Sequence, residues 1–89
     1  MAYIERYSEI LAKKLAKLNK KDPASFERVE KKIKEVLEHP EHEYKNLRHD
    51  MSDFKRVHIG HFVLTFRVNH KNKIVWFDDY DHHDNIYRK

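Results

Sequence analysis

The first forty residues follow a helical period of hydrophobic positions. Ser8 is a favourable N-cap residue, and the dipeptide formed by Asp22 and Pro23 is typical of the start of a second helix. Pro40 ends this second helix near His39. The apolar positions recur at helical spacing on one face of each helix: Leu11, Leu15 and Leu18, then Phe26, Val29, Ile33, Val36 and Leu37. The pattern predicts an αα-hairpin with one apolar seam.

The second half of the chain changes to a period of two, which predicts strands at 54–59, 62–68 and 74–79, in addition to a short strand at 3–7. Gly60 and the segment 69–72 supply short turns, and short turns imply antiparallel neighbours. The predicted order is β-α-α-β-β-β followed by a short tail. We therefore expect one α+β domain over 1–89, with the helical hairpin packed on one face of an antiparallel sheet.

The alternation along the strands also sorts their side chains between the two faces of the sheet. Six apolar side chains should face the helices: Val57, Ile59, Phe62, Leu64, Phe66 and Val68. The opposite face should be open and carry Phe54, Val63 and Thr65 together with a polar group. That group consists of Arg56, His58 and Arg67, with His61 at its rim.

Composition narrows the classes of function. The chain has 89 residues and no cysteine, which excludes disulfide scaffolds, thiolate metal sites and cysteine nucleophiles. Nineteen basic and fifteen acidic residues leave a net charge of +4, which favours an anionic partner such as nucleic acid. Because no apolar run approaches the length of a membrane span and no signal-peptide pattern opens the sequence, we expect a cytoplasmic protein.

The polar group on the open face suits a phosphodiester substrate. Arginine binds phosphate oxygens in bidentate fashion, and histidine transfers protons near neutral pH. Such a set is able to cleave RNA without a metal, with the 2′-OH of the substrate as the nucleophile. The competing interpretation is that these are ordinary polar residues on a solvated sheet.

The acidic and histidine-rich segment 78–84 raises the question of a metal site. Adjacent histidines on a strand point to opposite faces, so His82 and His83 should not bind one ion together, and we expect no metal site. Nearby carboxylates favour the imidazolium form of His83, which would suit a general acid, but they would also repel an RNA backbone.

Further on, Ile86 is expected to fill the core. Tyr87 is expected either to cap the sheet edge or to place its phenol at the catalytic face.

Three ordered motifs give the whole chain a resemblance to the RelE/ParE family of toxins from type II toxin–antitoxin pairs. The opening segment 3–8 resembles the family's first strand and the start of its first helix. The segments 47–49 and 54–62 resemble its central basic and aromatic core, and the segment 82–88 resembles its closing signature. The resemblance implies a fold like that of microbial ribonucleases, in agreement with the predicted topology.

In the ribonuclease branch of this family, the resemblance implies cleavage of mRNA in the ribosomal A site by 2′-OH attack, with no cofactor. Carried over by position, the catalytic residues would be Arg56, His58, His83 and Tyr87. The residues expected to bind RNA are Lys45, Arg48, Lys55, His61 and Arg67. The chain departs from the family pattern at Val63, where an arginine is usual.

The resemblance further implies an antitoxin partner, an acidic and partly helical peptide that covers the catalytic face. The ribosome and its mRNA are the other expected partners, and the free toxin is expected to be a monomer. The alternative is the family's other branch, a ParE-like toxin that inhibits DNA gyrase without cutting RNA. A catalytically weak corepressor bound to its antitoxin is a variant of that alternative.

Overall fold

The computed structural model describes the backbone of residues 3–42, 44–48 and 51–88, and their side chains except those of 46–48, 51–53 and 87–88. The elements in chain order are β1 (Ile4–Tyr7), α1 (Glu9–Lys21), α2 (Pro23–Glu38), β2 (Lys45–Arg48), β3 (Met51–Ile59), β4 (Phe62–Asn69), β5 (Ile74–His82) and α3 (His83–Arg88). No helix in this part of the chain has the length and apolar character needed to cross a membrane.

Two side-chain caps fix the predicted helical hairpin. The Ser8 hydroxyl accepts a hydrogen bond from the backbone N–H of Leu11 at 3.0 Å and starts α1. The Asp22 carboxylate accepts one from the N–H of Ser25 at 3.2 Å, while Pro23 begins α2. Each cap satisfies a backbone donor that the first helical turn leaves unpaired, and this is why both helices begin where the sequence predicts.

The five strands form one sheet in the order β1-β5-β4-β3-β2. The predicted α+β class and the helical hairpin on one face of the sheet are confirmed. The sheet is mixed rather than wholly antiparallel, because β1 runs parallel to β5 with Ile4 opposite Ile74. This pairing joins residues about seventy positions apart, and a local hydrophobic period carries no information about it. Strand β2 and helix α3 are additions to the predicted order.

The helix-facing side of the sheet holds the main core. Its largest wholly buried side chains are Phe66, Phe77, Leu11 and Leu64. Val57, Ile59 and Val68 pack against the same cluster, as the strand period predicts. Phe62 lies on this face but remains 38% exposed and stacks on Tyr80 with ring centroids 5.0 Å apart. The core is therefore contributed by both helices and the three central strands.

The prediction that the opposite face is open is wrong at its centre. Val63 and Thr65 are 0% and 2% exposed, respectively, because α3 folds back over this face. The Ile86 side chain, 3% exposed, packs on Val63, and Phe54 packs beside them. Burial of Ile86 is as expected from the sequence. The helix that carries Ile86, α3, was not predicted, because its six residues are too few to show a helical period.

A partly buried ionic cluster lies at the edge of β5 beyond the end of β1. Lys14 of α1 donates to the Asp79 carboxylate at 2.7 Å, to the Asp81 carboxylate at 3.2 Å and to the carbonyl oxygen of Tyr80 at 3.2 Å. Burial alone would lower the pKa of Lys14, but the two carboxylates outweigh it and raise that pKa. The cluster therefore ties the helical hairpin to the strand that leads into α3.

We expect Lys14→Met to lower the free energy of unfolding by about 1–3 kcal/mol, because it leaves two partly buried carboxylates without their cation. The pKa of Lys14 is raised, so its contribution is present below its ordinary value of 10.5 and is lost at higher pH. The pKa of Asp81 is lowered, so its contribution is present above 3.8 and is lost in acid. Urea unfolding at several pH values measures the loss of stability at high pH and the loss in acid. The exposed Lys13→Met is the matched control, and equal stability of the two variants would contradict the cluster's role.

Candidate active site

The centre of the candidate site is a direct contact between Arg56 and His58. These residues lie two positions apart on β3, so both project from the face opposite the helical hairpin. Arg56 Nη1 lies 2.8 Å from His58 Nε2. A guanidinium has donors only, so Arg56 donates and the imidazole nitrogen accepts. The contact thus selects the neutral His58 ring with its proton on Nδ1.

The charges around His58 also favour the neutral ring. Partial burial lowers the pKa of His58 below its usual 6.5, and the positive charges of Arg56, His83 and Lys45 lower it further. A neutral imidazole is able to accept a proton at neutral pH, whereas an imidazolium is not. The site therefore combines a proton acceptor with a field that attracts anions.

The sheet register places two more predicted RNA-binding residues on this face. Lys45 lies directly opposite Arg56 across the β2–β3 pair, and Thr65 lies opposite Arg56 on its other side. Arg67 lies two residues beyond Thr65 on the same face of β4, about 7 Å along the strand. Its guanidinium lies 5.1 Å from the ring centroid of Phe54, a cation–π contact that holds it over the sheet.

Lys55 lies apart from this group. It pairs with Phe66, whose side chain belongs to the core under the helices, so Lys55 belongs to the helix-facing side of the sheet. The side chains of Arg48 and Tyr87 lie outside the described residues, and their predicted roles stay predictions.

His83 enters the site from the first position of α3. Its backbone N–H donates to the carbonyl oxygen of His61 at 3.0 Å, which fixes the end of β5 to the β3–β4 turn. The ring Nδ1 lies 3.1 Å from the Asp84 carboxylate, which orients the imidazole. Sequence reasoning missed this role of Asp84, and the only available signal was its position next to His83.

The interpretation that His82 and His83 point to opposite faces is wrong. It assumed that one strand continues through both residues, whereas β5 ends at His82 and α3 begins at His83. The change of backbone direction brings the two rings into a stack with centroids 4.6 Å apart. The His61 ring also stacks on the His82 ring, with centroids 6.3 Å apart. Three imidazoles therefore line one rim of the face.

The acidic residues before this rim are largely engaged by the fold. Asp79 accepts from Lys14 and from the backbone of Tyr80. Burial would raise the pKa of Asp81, but hydrogen bonds from Asn85, from the backbone of His82 and from Lys14 hold it below its usual value. Asp79 and Asp81 thus have cationic and amide partners, which reduces the repulsion of RNA that the sequence alone suggests.

The departure from the family pattern at Val63 has a packing reason. The side chain is completely buried between the sheet and Ile86. A guanidinium at this position would be desolvated beneath α3. In this chain the position anchors the C-terminal helix, and the basic groups of the face come from β2, β3, the far end of β4 and the start of α3.

Comparison with known proteins is consistent with this architecture. No family model matches the chain. The chain is 54% identical over 80 residues to a protein of Methanocaldococcus jannaschii named "Putative toxin RelE4", a match covering 89% of this chain and 84% of that protein. A free variant of the Escherichia coli toxin RelE with two arginine-to-alanine substitutions superposes with a TM-score of 0.77 at 26% identity, over 99% of this chain and 93% of that one. The same variant bound to a peptide of the antitoxin RelB superposes with a TM-score of 0.67 at 25% identity, with the same coverage.

The fold and the sequence similarity together define a toxin of the kind found in toxin–antitoxin systems. Within that class, the chain belongs to the RelE family.

We expect the His58 ring to titrate below pH 6.5 in the folded protein. Arg56→Gln should move the midpoint upward, because it removes a nearby positive charge, without fully restoring the usual value, since partial burial remains. NMR titration of the ring nitrogens measures both shifts. The matched control is Arg28→Gln on α2, which should leave His58 unchanged. A midpoint of His58 that does not respond to Arg56→Gln would contradict the contact.

We expect Val63→Arg, which restores the family's usual residue, to destabilise the protein by more than about 3 kcal/mol. The substitution buries a charge and displaces Ile86. Asn19→Arg, at an exposed position of α1, is the control and should change stability by less than about 0.5 kcal/mol. Thermal and urea unfolding of both variants is the measurement. A fully stable Val63→Arg protein would show that α3 does not depend on this contact.

Proposed function

We propose that this RelE-family toxin is a ribosome-dependent endoribonuclease that cleaves mRNA by attack of a 2′-OH on the adjacent phosphate. The observation that carries the proposal is the Arg56–His58 contact of 2.8 Å on a face that also holds Lys45 and His83. Family membership adds support, since it gives the toxin role an independent basis. The reaction requires a proton acceptor, a proton donor and cations around the phosphate, and this face offers residues of all three kinds.

The proposed roles follow from charge and protonation. Neutral His58 accepts the proton of the 2′-OH once the substrate displaces Arg56 from Nε2, and Arg56 then binds the phosphate oxygens. His83, oriented by Asp84, donates a proton to the leaving 5′-oxygen. No step requires a metal ion. Tyr87 stays a proposed member of the catalytic set on the strength of the family motif alone.

RNA binding is proposed to rest on the cations around this centre. Lys45 lies beside Arg56, and Arg67 lies on the same face. Arg48 and His61 are further proposed contacts to RNA, and Lys55, on the helix-facing side of the sheet, is a proposed contact to ribosomal RNA away from this centre. Since these contacts neutralise phosphates, cleavage should weaken as the salt concentration rises.

An antitoxin is the proposed protein partner. The support is the structure of E. coli RelE bound to a RelB peptide, whose toxin shares this fold. An acidic peptide laid over the cationic face would neutralise it and exclude mRNA. The proposed target, a translating ribosome, places the toxin in the cytoplasm.

The test is primer extension on an mRNA that is being translated in a purified system with the toxin added. We expect discrete breaks that require ribosomes. Arg56→Ala, His58→Ala and His83→Ala should each lower the cleavage rate by about 10²–10³-fold. The matched controls are Arg28→Ala and His39→Ala, which change the same residue types on α2 and at its end and should cleave normally.

Two results would overturn the proposal. Intact mRNA with a folded toxin that still arrests growth would favour the gyrase-inhibiting alternative. Cleavage that survives all three substitutions would move the active site elsewhere. Circular dichroism of each variant establishes that loss of cleavage is not loss of fold.

A further inference from the structure

We propose that His82, His83 and Asp84 form a binding site for a divalent transition-metal ion of the zinc class at the start of α3. Each of the three residues offers one ligand atom, and these atoms all lie within 4.8 Å of one another. Two imidazoles and a carboxylate are a donor set that zinc, cobalt, nickel and copper prefer and magnesium does not. The site goes beyond the proposed ribonuclease activity, which uses no metal.

The distances within the group are close to those of ligands on one ion. His83 Nδ1 lies 3.1 Å from one Asp84 oxygen, and His82 Nδ1 lies 3.6 Å from the other. Two ligands held about 2.1 Å from a tetrahedral ion lie about 3.4 Å apart. Each Asp84 oxygen thus faces one imidazole nitrogen at nearly the required spacing. The widest pair of ligand atoms, which lie within 4.8 Å of one another, must approach by about 1.4 Å to reach it.

The required movement is small and open to these side chains. The side chains of His82 and His83 are 38% and 42% exposed, so rotation about their side-chain bonds disturbs ring contacts at the surface and no part of the core. Binding through His82 Nδ1 replaces only the hydrogen bond of 3.2 Å that this atom accepts from the backbone N–H of Asp84. The strand-to-helix junction holds the three residues together, and water is available to complete a four-coordinate shell.

If His83 is the proton donor, as proposed above, a metal ion in this site should affect mRNA cleavage. A metal ion on His83 occupies the ring lone pair that otherwise binds the proton to be donated. It also adds positive charge beside His58. Zinc-class ions should therefore inhibit mRNA cleavage. Binding itself does not depend on that activity, so it is measured without ribosomes.

The first measurement is titration of the untagged, full-length protein with Co²⁺, followed by its visible d–d absorption and by displacement with Zn²⁺. We expect binding of one ion with a spectrum typical of nitrogen and oxygen ligands, and no competition by Mg²⁺. His82→Ala and Asp84→Asn should each weaken binding by more than about tenfold. His39→Ala, an exposed histidine at the end of α2, should bind normally.

Equal affinities of the wild type and of the His82→Ala and Asp84→Asn variants would overturn the site, as would the absence of Co²⁺ absorption in the wild type. An affinity lowered as much by His39→Ala would also overturn it, because it would indicate unspecific binding by surface histidines. In the translation assay, Zn²⁺ should inhibit the wild type by a larger fraction than His82→Ala. If Zn²⁺ inhibits both proteins equally while Co²⁺ binding behaves as expected, the inhibitory role is rejected and the proposed binding site stands. Absence of any cleavage would count against the ribonuclease instead.

Discussion

The arrangement of the candidate site depends on one hydrophobic contact, the packing of Ile86 on Val63. An antiparallel pair of strands with one exposed apolar residue gains stability when any nearby segment covers that residue. Here the cover is the C-terminal helix, whose Ile86 is almost completely buried. Because this contact fixes α3, it also fixes His83 at the beginning of that helix, close enough for its charge to act on His58. A core contact on the face opposite the main core thus positions a proposed proton donor.

A second constraint acts on the same helix from the other side of β5. The Lys14 cluster holds the backbone of Tyr80 and the carboxylates of Asp79 and Asp81 just before the strand ends. Asn85 of α3 donates in turn to Asp81 at 3.1 Å. Two of the four carboxylates in the acidic segment 78–84, those of Asp79 and Asp81, therefore have structural roles. They connect α1, β5 and α3, and this leaves the cationic face less opposed by negative charge.

Sequence patterns predict most of the fold because its elements rest on local rules. Residues that are close together in the sequence determine the caps at Ser8 and Asp22, the helical seam and the alternation in β4. The patterns fail where non-local packing decides the structure. The parallel pairing of β1 with β5 and the coverage of Val63 by Ile86 depend on contacts across the molecule. The site was predictable to the extent that period two places Arg56, His58 and Arg67 on one face. The relative directions of the His82 and His83 side chains were not predictable, because they depend on the residue at which β5 ends.

The presence of imidazole rather than guanidinium at His58 and His83 determines the chemistry open to this face. A guanidinium keeps its charge at all physiological pH values and has no lone pair, so it binds phosphate but neither accepts a proton nor ligates a metal. An imidazole does both, and the two uses draw on the same lone pair. At His83 the proposed proton transfer and the proposed metal site therefore exclude each other. The neighbouring Asp84 carboxylate serves either state, since it orients a protonated ring as readily as it completes a metal shell. Arg56 keeps its positive charge and lies next to His58, so phosphate binding is proposed for Arg56 and proton transfer for the histidines around it.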